Sequence, residues 1–180
     1  MKSDRKPLET LFKKHGFEDF KWLDPKDIVV AQWVRMKCMW GCSYYGKHAC
    51  CPPNTPPVAE CERFFREYKT AVVFHFAGKM EAPEDRHEWT NKLNKRLSKL
   101  EREIFLGGSY KAFLLFLDSC HLCDECATDR LKCKVKALAR PSADALGVDV
   151  YETVRRLGYK VNVLSDYGQT MNRYAILLID

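Results

Sequence analysis

The sequence contains no apolar run near the ~18 residues that would suggest a membrane helix. Its first residues, MKSDRKPLETLFKKHG, carry no apolar stretch of the kind found in a secretory signal. There is no internal repeat of fold length and no low-complexity linker. Together these absences argue against membrane-embedded, exported and repeat proteins, and the expectation is a chain of the reducing cytoplasm. Charge of one sign is not in large excess either. The net charge is +6, which permits an acidic partner or nucleic acid and demands neither. The densest basic run, Lys92, Lys95, Arg96, Lys99 and Arg102, is interleaved with apolar residues at helical spacing and reads as a solvated helix face. No aromatic–basic motif resembles an RNA-binding module, so neither nucleic acid nor a membrane is an expected partner.

Cysteine, by contrast, is abundant: nine in 180 residues. That density is below the ~8–10% of a small disulfide scaffold, and a chain of this length buries a core without staples. In a reducing compartment, closely spaced cysteines serve as metal ligands or catalytic thiols rather than disulfides. An odd total agrees with that reading.

The pattern along the chain predicts an α/β (α+β) fold: a single-domain sandwich over residues 1–180, with a mixed sheet and two cysteine-rich loops. A short helix opens near Pro7 and ends at Gly16. Ile28 to Met36 reads as a strand from its β-branched and aromatic residues, although a helix also fits. The glycine- and proline-rich stretch KCMWGCSYYGKHACCPPNTPP is a loop, followed by a helix to Tyr68. Ala71–Ala77 and Tyr110–Leu117 read as buried strands, joined by a long helix from Pro83 to Leu106 in one βαβ unit. A helix from Asp149 to Leu157 is expected next, then strands at Lys160–Leu164 and Tyr174–Ile179 around Asp166-Tyr167-Gly168.

Cys120, Cys123, Cys126 and Cys133 form C-x2-C-x2-C-x6-C. Two-residue gaps let a short loop turn successive thiolates toward one centre. The tandem resembles the C-x2-C-x2-C-x3-C-P run that holds cubane iron–sulfur clusters. Structural zinc sites pair C-x2-C units across a dozen or more residues, which this loop does not do. Cys133 is followed by Lys134, whereas Cys51 is followed by Pro52. An exchange of Cys51 and Cys133 between sites is therefore an alternative to a self-contained second loop.

In the first loop Cys38, Cys42 and Cys51 make an economical ligand set, since the adjacent Cys50 and Cys51 do not readily serve one metal. Cys50, Cys61, His48 or a non-protein group is open as a fourth ligand. With three cysteines alone the site would keep a coordination position for substrate. Cys61 lies in the helical pattern VAECERFFREY and reads as a packing cysteine. His75 reads as a satisfied core histidine, His121 as exposed or as a donor near the cysteine sulfurs, and His15 and His87 as solvated. Tyr44, Tyr45 and Lys47 read as packing or gating beside the first loop, and Lys132, Lys134 and Lys136 as a solvated cluster or a dock for an acidic redox partner. Ser142 and Asp149 read as helix caps.

The segments WVRMKCMWGCSYYGKHACCPPNTPP (33–57), CHLCDECATDRLKC (120–133) and RPSADALGVDVYETVRRLGY (140–159) resemble a family of cysteine-rich predicted metal-binding proteins of anaerobes, domain of unknown function 2284. The resemblance extends from about residue 28 onward. It implies cysteine-ligated metal, most naturally iron–sulfur, in an anaerobe's cytosol, and it supplies no reaction. The ligand role carries over to Cys51 and not to Cys50, and the missing proline after Cys133 is a departure. The leading expectation is thus a protein with one or two 4Fe-4S clusters, with zinc as the alternative metal. It would act in electron transfer or reductive activation of a redox partner protein. The alternatives are an enzyme with an open three-cysteine cluster and a zinc-stabilised binding module.

Overall fold

In the computed structural model, which describes residues 5–80, 82, 85–166 and 168–180, an antiparallel sheet lies between two helical layers. The elements run α1 (Arg5–Lys14), β1 (Phe20–Leu23), α2 (Gln32–Gly41), α3 (Val58–Arg66), β2 (Ala71–Gly78), α4 (Asp85–Leu106), β3 (Phe113–Leu115), α5 (Val150–Arg156) and β4 (Met171–Leu178). The sheet order is β1-β2-β4-β3.

Strand alternation sends side chains to two cores, because successive residues face opposite sides. Val73 of β2 and Ile176 of β4 join Phe65 of α3 and Val154 of α5 on one face. Val72, Phe74 and Leu177 join Phe12 of α1 and Leu97 and Leu100 of α4 on the other. Covered on both faces, β2 and β4 have little use for polar residues. This accounts for their continuous apolar runs in an antiparallel sheet, where alternation is more usual.

The α/β class and the long connecting helix agree with the sequence pattern, and the differences are local. The sheet is antiparallel in each of its strand pairs rather than mixed. Strands β2 and β3 point the same way but never bond to each other, because β4 enters between them; the strand–helix–strand unit is split. Ile28–Met36 does not form a strand. Val30 makes a single bridge to Val148, and α2 begins at Gln32. Only Val34 of this helix is buried, while Trp33 and Trp40 are exposed. The β-branched residues of 28–36 report packing rather than strand pairing: Ile28 joins the core on one face of the sheet, Val30 packs against it, and Val34 is buried. Lys160–Leu164 also stays outside the sheet, where β1 and β3 already occupy the edges. Strand β1, lying against β2, was not expected. Pro83 and Tyr167, in the expected helix start and final turn, lie outside the described residues.

Both cysteine loops meet at one end of this framework. The second leaves β3 through Phe116 and returns to it: Phe116 N–H donates to Pro141 O (2.9 Å) and Phe116 bridges Ser142. Leu117 N–H donates to Asn94 Oδ1 of α4 (3.3 Å). The buried Glu101 carboxylate accepts from Leu114 N–H and Arg140 Nε, both at 2.9 Å. Arg35 of α2 anchors the first loop. Its Nη2 lies within hydrogen-bond distance of Thr55 Oγ1 (3.1 Å), Pro56 O (3.1 Å) and Ala145 O (3.0 Å).

Candidate metal centre

Cys38 lies in the last turns of α2 and Cys42 is the residue that caps its C-terminus, its N–H donating to Cys38 O. Cys51 comes to them from the loop. The three border a cavity of about 120 Å³ together with Tyr44, Asp118 and Asp144. Burial, with the Asp144 carboxylate nearby, pushes the Cys38 thiol up to about 11 and Cys51 up to about 12. Metal-free, these thiols stay protonated at neutral pH, and binding a cation must displace their protons. Asp118 is ion-paired with Arg86 at 3.0 Å. Asp144 carries a carboxyl whose protonation burial favours.

Cys120, Cys123, Cys126 and Cys133 border a second, smaller cavity of about 20 Å³, and Cys50 borders it too. The Cys50 thiol hydrogen-bonds to Cys120 and holds the Cys120 pKa down, helped by the backbone N–H groups of Leu122 and Arg140. The same bond and burial push Cys50 up. Ala49 N–H donates to Cys126 Sγ at 3.3 Å. Donors aimed at sulfur favour the thiolate, the form that ligates metal.

The adjacent residues Cys50 and Cys51 therefore serve different cavities. Cys51 borders the first cavity and Cys133 the second. Cys50, which the sequence left open as a fourth ligand of the first site, instead borders the second cavity; the Cys-Cys dipeptide in an irregular loop was the only signal for it. Cys61 borders neither thiol group. It is 2% exposed, with its thiol directed at Pro56 O (3.5 Å), as a packing cysteine would be.

A histidine–tyrosine group links the two cysteine groups. Tyr44 borders the first cavity, and His48 Nδ1–H donates to the Cys120 carbonyl at 3.1 Å. The Tyr44 hydroxyl lies 2.8 Å from His87 Nε2, and Arg86 Nη2 lies 3.3 Å from the same nitrogen. The permanent guanidinium donor makes Nε2 an acceptor, so the neutral ring carries its proton on Nδ1. Ring centroids of His87 and His121 are 4.1 Å apart, and those of His48 and His121 5.0 Å. Burial lowers the pKa of His87 and lowers His121 to about 4, so both are neutral at pH 7. His87, expected to be solvated, is instead part of this group. His15 is likewise engaged, with Nε2 2.8 Å from Glu103 Oε2. His75 is satisfied as expected, by Asp19 Oδ2 (2.6 Å) and Asn172 Oδ1 (2.7 Å).

Among the described residues no three His, Cys, Asp or Glu side chains close on one point at single-ion spacing. The cysteines surround cavities instead. The all-sulfur donor set of the second group, with N–H groups directed at Cys126 and Cys120, fits a soft, thiolate-bound metal or cluster. A family model covers residues 21–179, and so takes in both cysteine groups. The chain belongs to the predicted metal-binding proteins, DUF2284. No curated protein and no solved structure matches it. For this DUF2284 chain, the family description and the two cysteine groups agree on metal binding. Among the described residues, no helix is long and apolar enough to cross a membrane.

Proposed function

We propose that the chain is an iron–sulfur protein of the 4Fe-4S type, with one or two clusters, that passes single electrons to a partner protein or reductively activates that partner's cofactor. The observation that carries this reading is the second group: five cysteines from two loops around one small cavity, with backbone N–H donors directed at two of the sulfurs. The C-x2-C-x2-C spacing supports a cluster over a single zinc ion. Bound there, a cluster supplies a one-electron couple. The chain's own part is to hold the thiolates, donate to their sulfurs from Ala49, Leu122 and Arg140, and surround them with low-dielectric protein. Hydrogen bonds to sulfur stabilise the more negative, reduced state and raise its potential. Tyr44, His48, His87 and His121 pack together beside the two cysteine groups.

The first group favours a second reading. Its three cysteines share a larger cavity with two carboxylates, a donor set that leaves room for an exchangeable ligand. On this reading the first centre is a substrate site and the chain is an enzyme.

Anaerobic purification followed by iron, acid-labile sulfide and zinc analysis tests the proposal. The expected result is brown protein whose absorption bleaches with dithionite. Colourless protein with stoichiometric zinc overturns it. Cys123→Ala should remove the second group's iron while Cys61→Ala retains it; equal loss from both overturns the ligand assignment. A spectral shift on adding small-molecule substrates would favour the enzyme.

A further inference from the structure

The first cysteine group has three thiols, and none of the side chains that its sequence offered as a fourth ligand reaches it. Cys50 borders the second cavity, Cys61 packs with its thiol on Pro56 O, and His48 does not border the first cavity. A metal held by three thiolates has a further coordination position to fill. The wall of the 120 Å³ cavity carries two carboxylates besides the thiols, Asp118 and Asp144.

The two carboxylates differ in what already holds them. Asp118 is engaged on both oxygens: Oδ1 accepts from Ser119 N–H at 2.9 Å, and Oδ2 is ion-paired with Arg86 Nε at 3.0 Å. Asp144 has no ion pair among the described residues, and the buried Ser142 hydroxyl donates to its carboxylate. The Asp144 carboxylate stands close enough to Cys38 and Cys51 for its charge to act on both thiols. It lies deep in the protein, yet the residue is exposed although Ala143 and Ala145 on either side are buried. A deep side chain with open surface borders a hollow, and the hollow here is the cysteine cavity.

The position of Asp144 is fixed by its backbone. It opens the tight turn 144–146, which is tied to α2 and the first loop by three hydrogen bonds. Arg35 Nη2 and Thr55 Oγ1 each donate to Ala145 O at 3.0 Å, and Ala31 N–H donates to Gly147 O at 2.8 Å. Helix α2 also carries Cys38. Carboxylate and thiols thus sit on segments already locked together, as a pre-organised ligand set requires.

We propose that Asp144 is the fourth protein ligand of the first centre, completing a Cys38–Cys42–Cys51–Asp144 set whose single oxygen donor is the one an incoming ligand displaces. The inference rests on the reading that this group holds metal. A carboxylate oxygen is a harder donor than thiolate and suits a thiolate-selecting centre less well, so the Asp144 position is the exchangeable one.

Titration with 2-mercaptoethanol tests this on the full chain, purified anaerobically without thiols, reduced with dithionite and read by electron paramagnetic resonance. The wild-type spectrum should shift as the added thiolate replaces the carboxylate. Asp144→Ala should start from a different spectrum, reach half its shift at a thiol concentration at least about tenfold lower, and end at the wild-type end point. Asp144→Cys should keep its iron and not respond. The proposal is overturned if the wild-type spectrum does not respond, or if Asp144→Ala matches wild type throughout. It is also overturned if Asp118→Asn shows the behaviour expected of Asp144→Ala. If Asp144→Ala does not fold or loses iron, Asp144→Cys decides: a thiol response like that of wild type overturns the proposal. Zinc in place of iron would overturn the cluster reading and leave this one standing. With cobalt(II) exchanged for that zinc, Asp144→Cys should raise the sulfur-to-metal charge-transfer absorption, and unchanged absorption overturns the proposal.

Discussion

Cys50 and Cys51 differ in destination although they are adjacent and identical. Side chains of successive residues diverge, so a Cys-Cys pair running between two cavities delivers one thiol to each. The same reasoning explains why Cys61, ten residues on, serves neither: its helix turns it into the core. Spacing within one loop was enough to group Cys120, Cys123, Cys126 and Cys133, because short gaps leave few ways to orient them. It could not assign Cys50, whose direction depends on how two distant loops are pressed together. Glu101 shows the same dependence. In the sequence it is one charge on a charged helix; in the fold it is buried and joins α4, β3 and the Arg140 end of the second loop. Glu101→Ala should destabilise the protein by ~3 kcal/mol, since it leaves Arg140 Nε and Leu114 N–H without their acceptor. Urea unfolding of the variant checks this, and a change below ~1 kcal/mol would show the pair to be weak.

At the scale of elements, the long helix α4 and the apolar strands β2 and β4 were legible because their periods are unambiguous over many residues. Helix α2 was not. Apart from buried Val34, its large apolar residues Trp33, Met36, Met39 and Trp40 are exposed, so composition and environment disagree. What holds α2 in place is Arg35, joining it to Thr55, Pro56 and Ala145. Arg35→Ala should leave the sheet folded and loosen residues 42–57, with a stability loss of ~2 kcal/mol. Limited proteolysis checks this: cleavage should become faster within 42–57 and not within α4. Uniformly faster cleavage would mean that Arg35 supports the whole fold. Gly147 meets a separate demand here. It ends the 144–146 turn with φ +81°, and an added Cβ would lie 3.2 Å from a methyl of Val58. Gly147→Ala should therefore cost ~1–2 kcal/mol, read as a lowered melting temperature.

At the scale of the whole molecule, a sheet covered on both faces buries several ionisable groups without charge partners. Burial pushes the hydroxyls of Tyr68 and Tyr174 up to about 12 from their ordinary value near 10. A raised folded-state pKa means that the folded protein keeps protons the unfolded chain releases. The stability these groups supply is therefore complete below about pH 10 and is lost as pH rises toward 12. Denaturant midpoints measured across that window should fall steadily. Tyr174→Phe should flatten the fall at little cost near pH 7, because the Tyr174 hydroxyl has no hydrogen-bond partner among the described residues. An unchanged slope would show that other groups control the alkaline limb.

By itself the sequence determined the α/β class, the long helix, the buried strands and a tandem cysteine loop suited to metal. Each of these follows from local periodicity or from spacing too short to allow alternatives. Only the tertiary structure decided that β4 separates β2 from β3, that Cys50 leaves its neighbour for the second group, and that His87 joins His48 and His121. Those outcomes depend on contacts between segments 20 to 100 residues apart, where loop closure and packing, rather than local preference, choose which side chains meet.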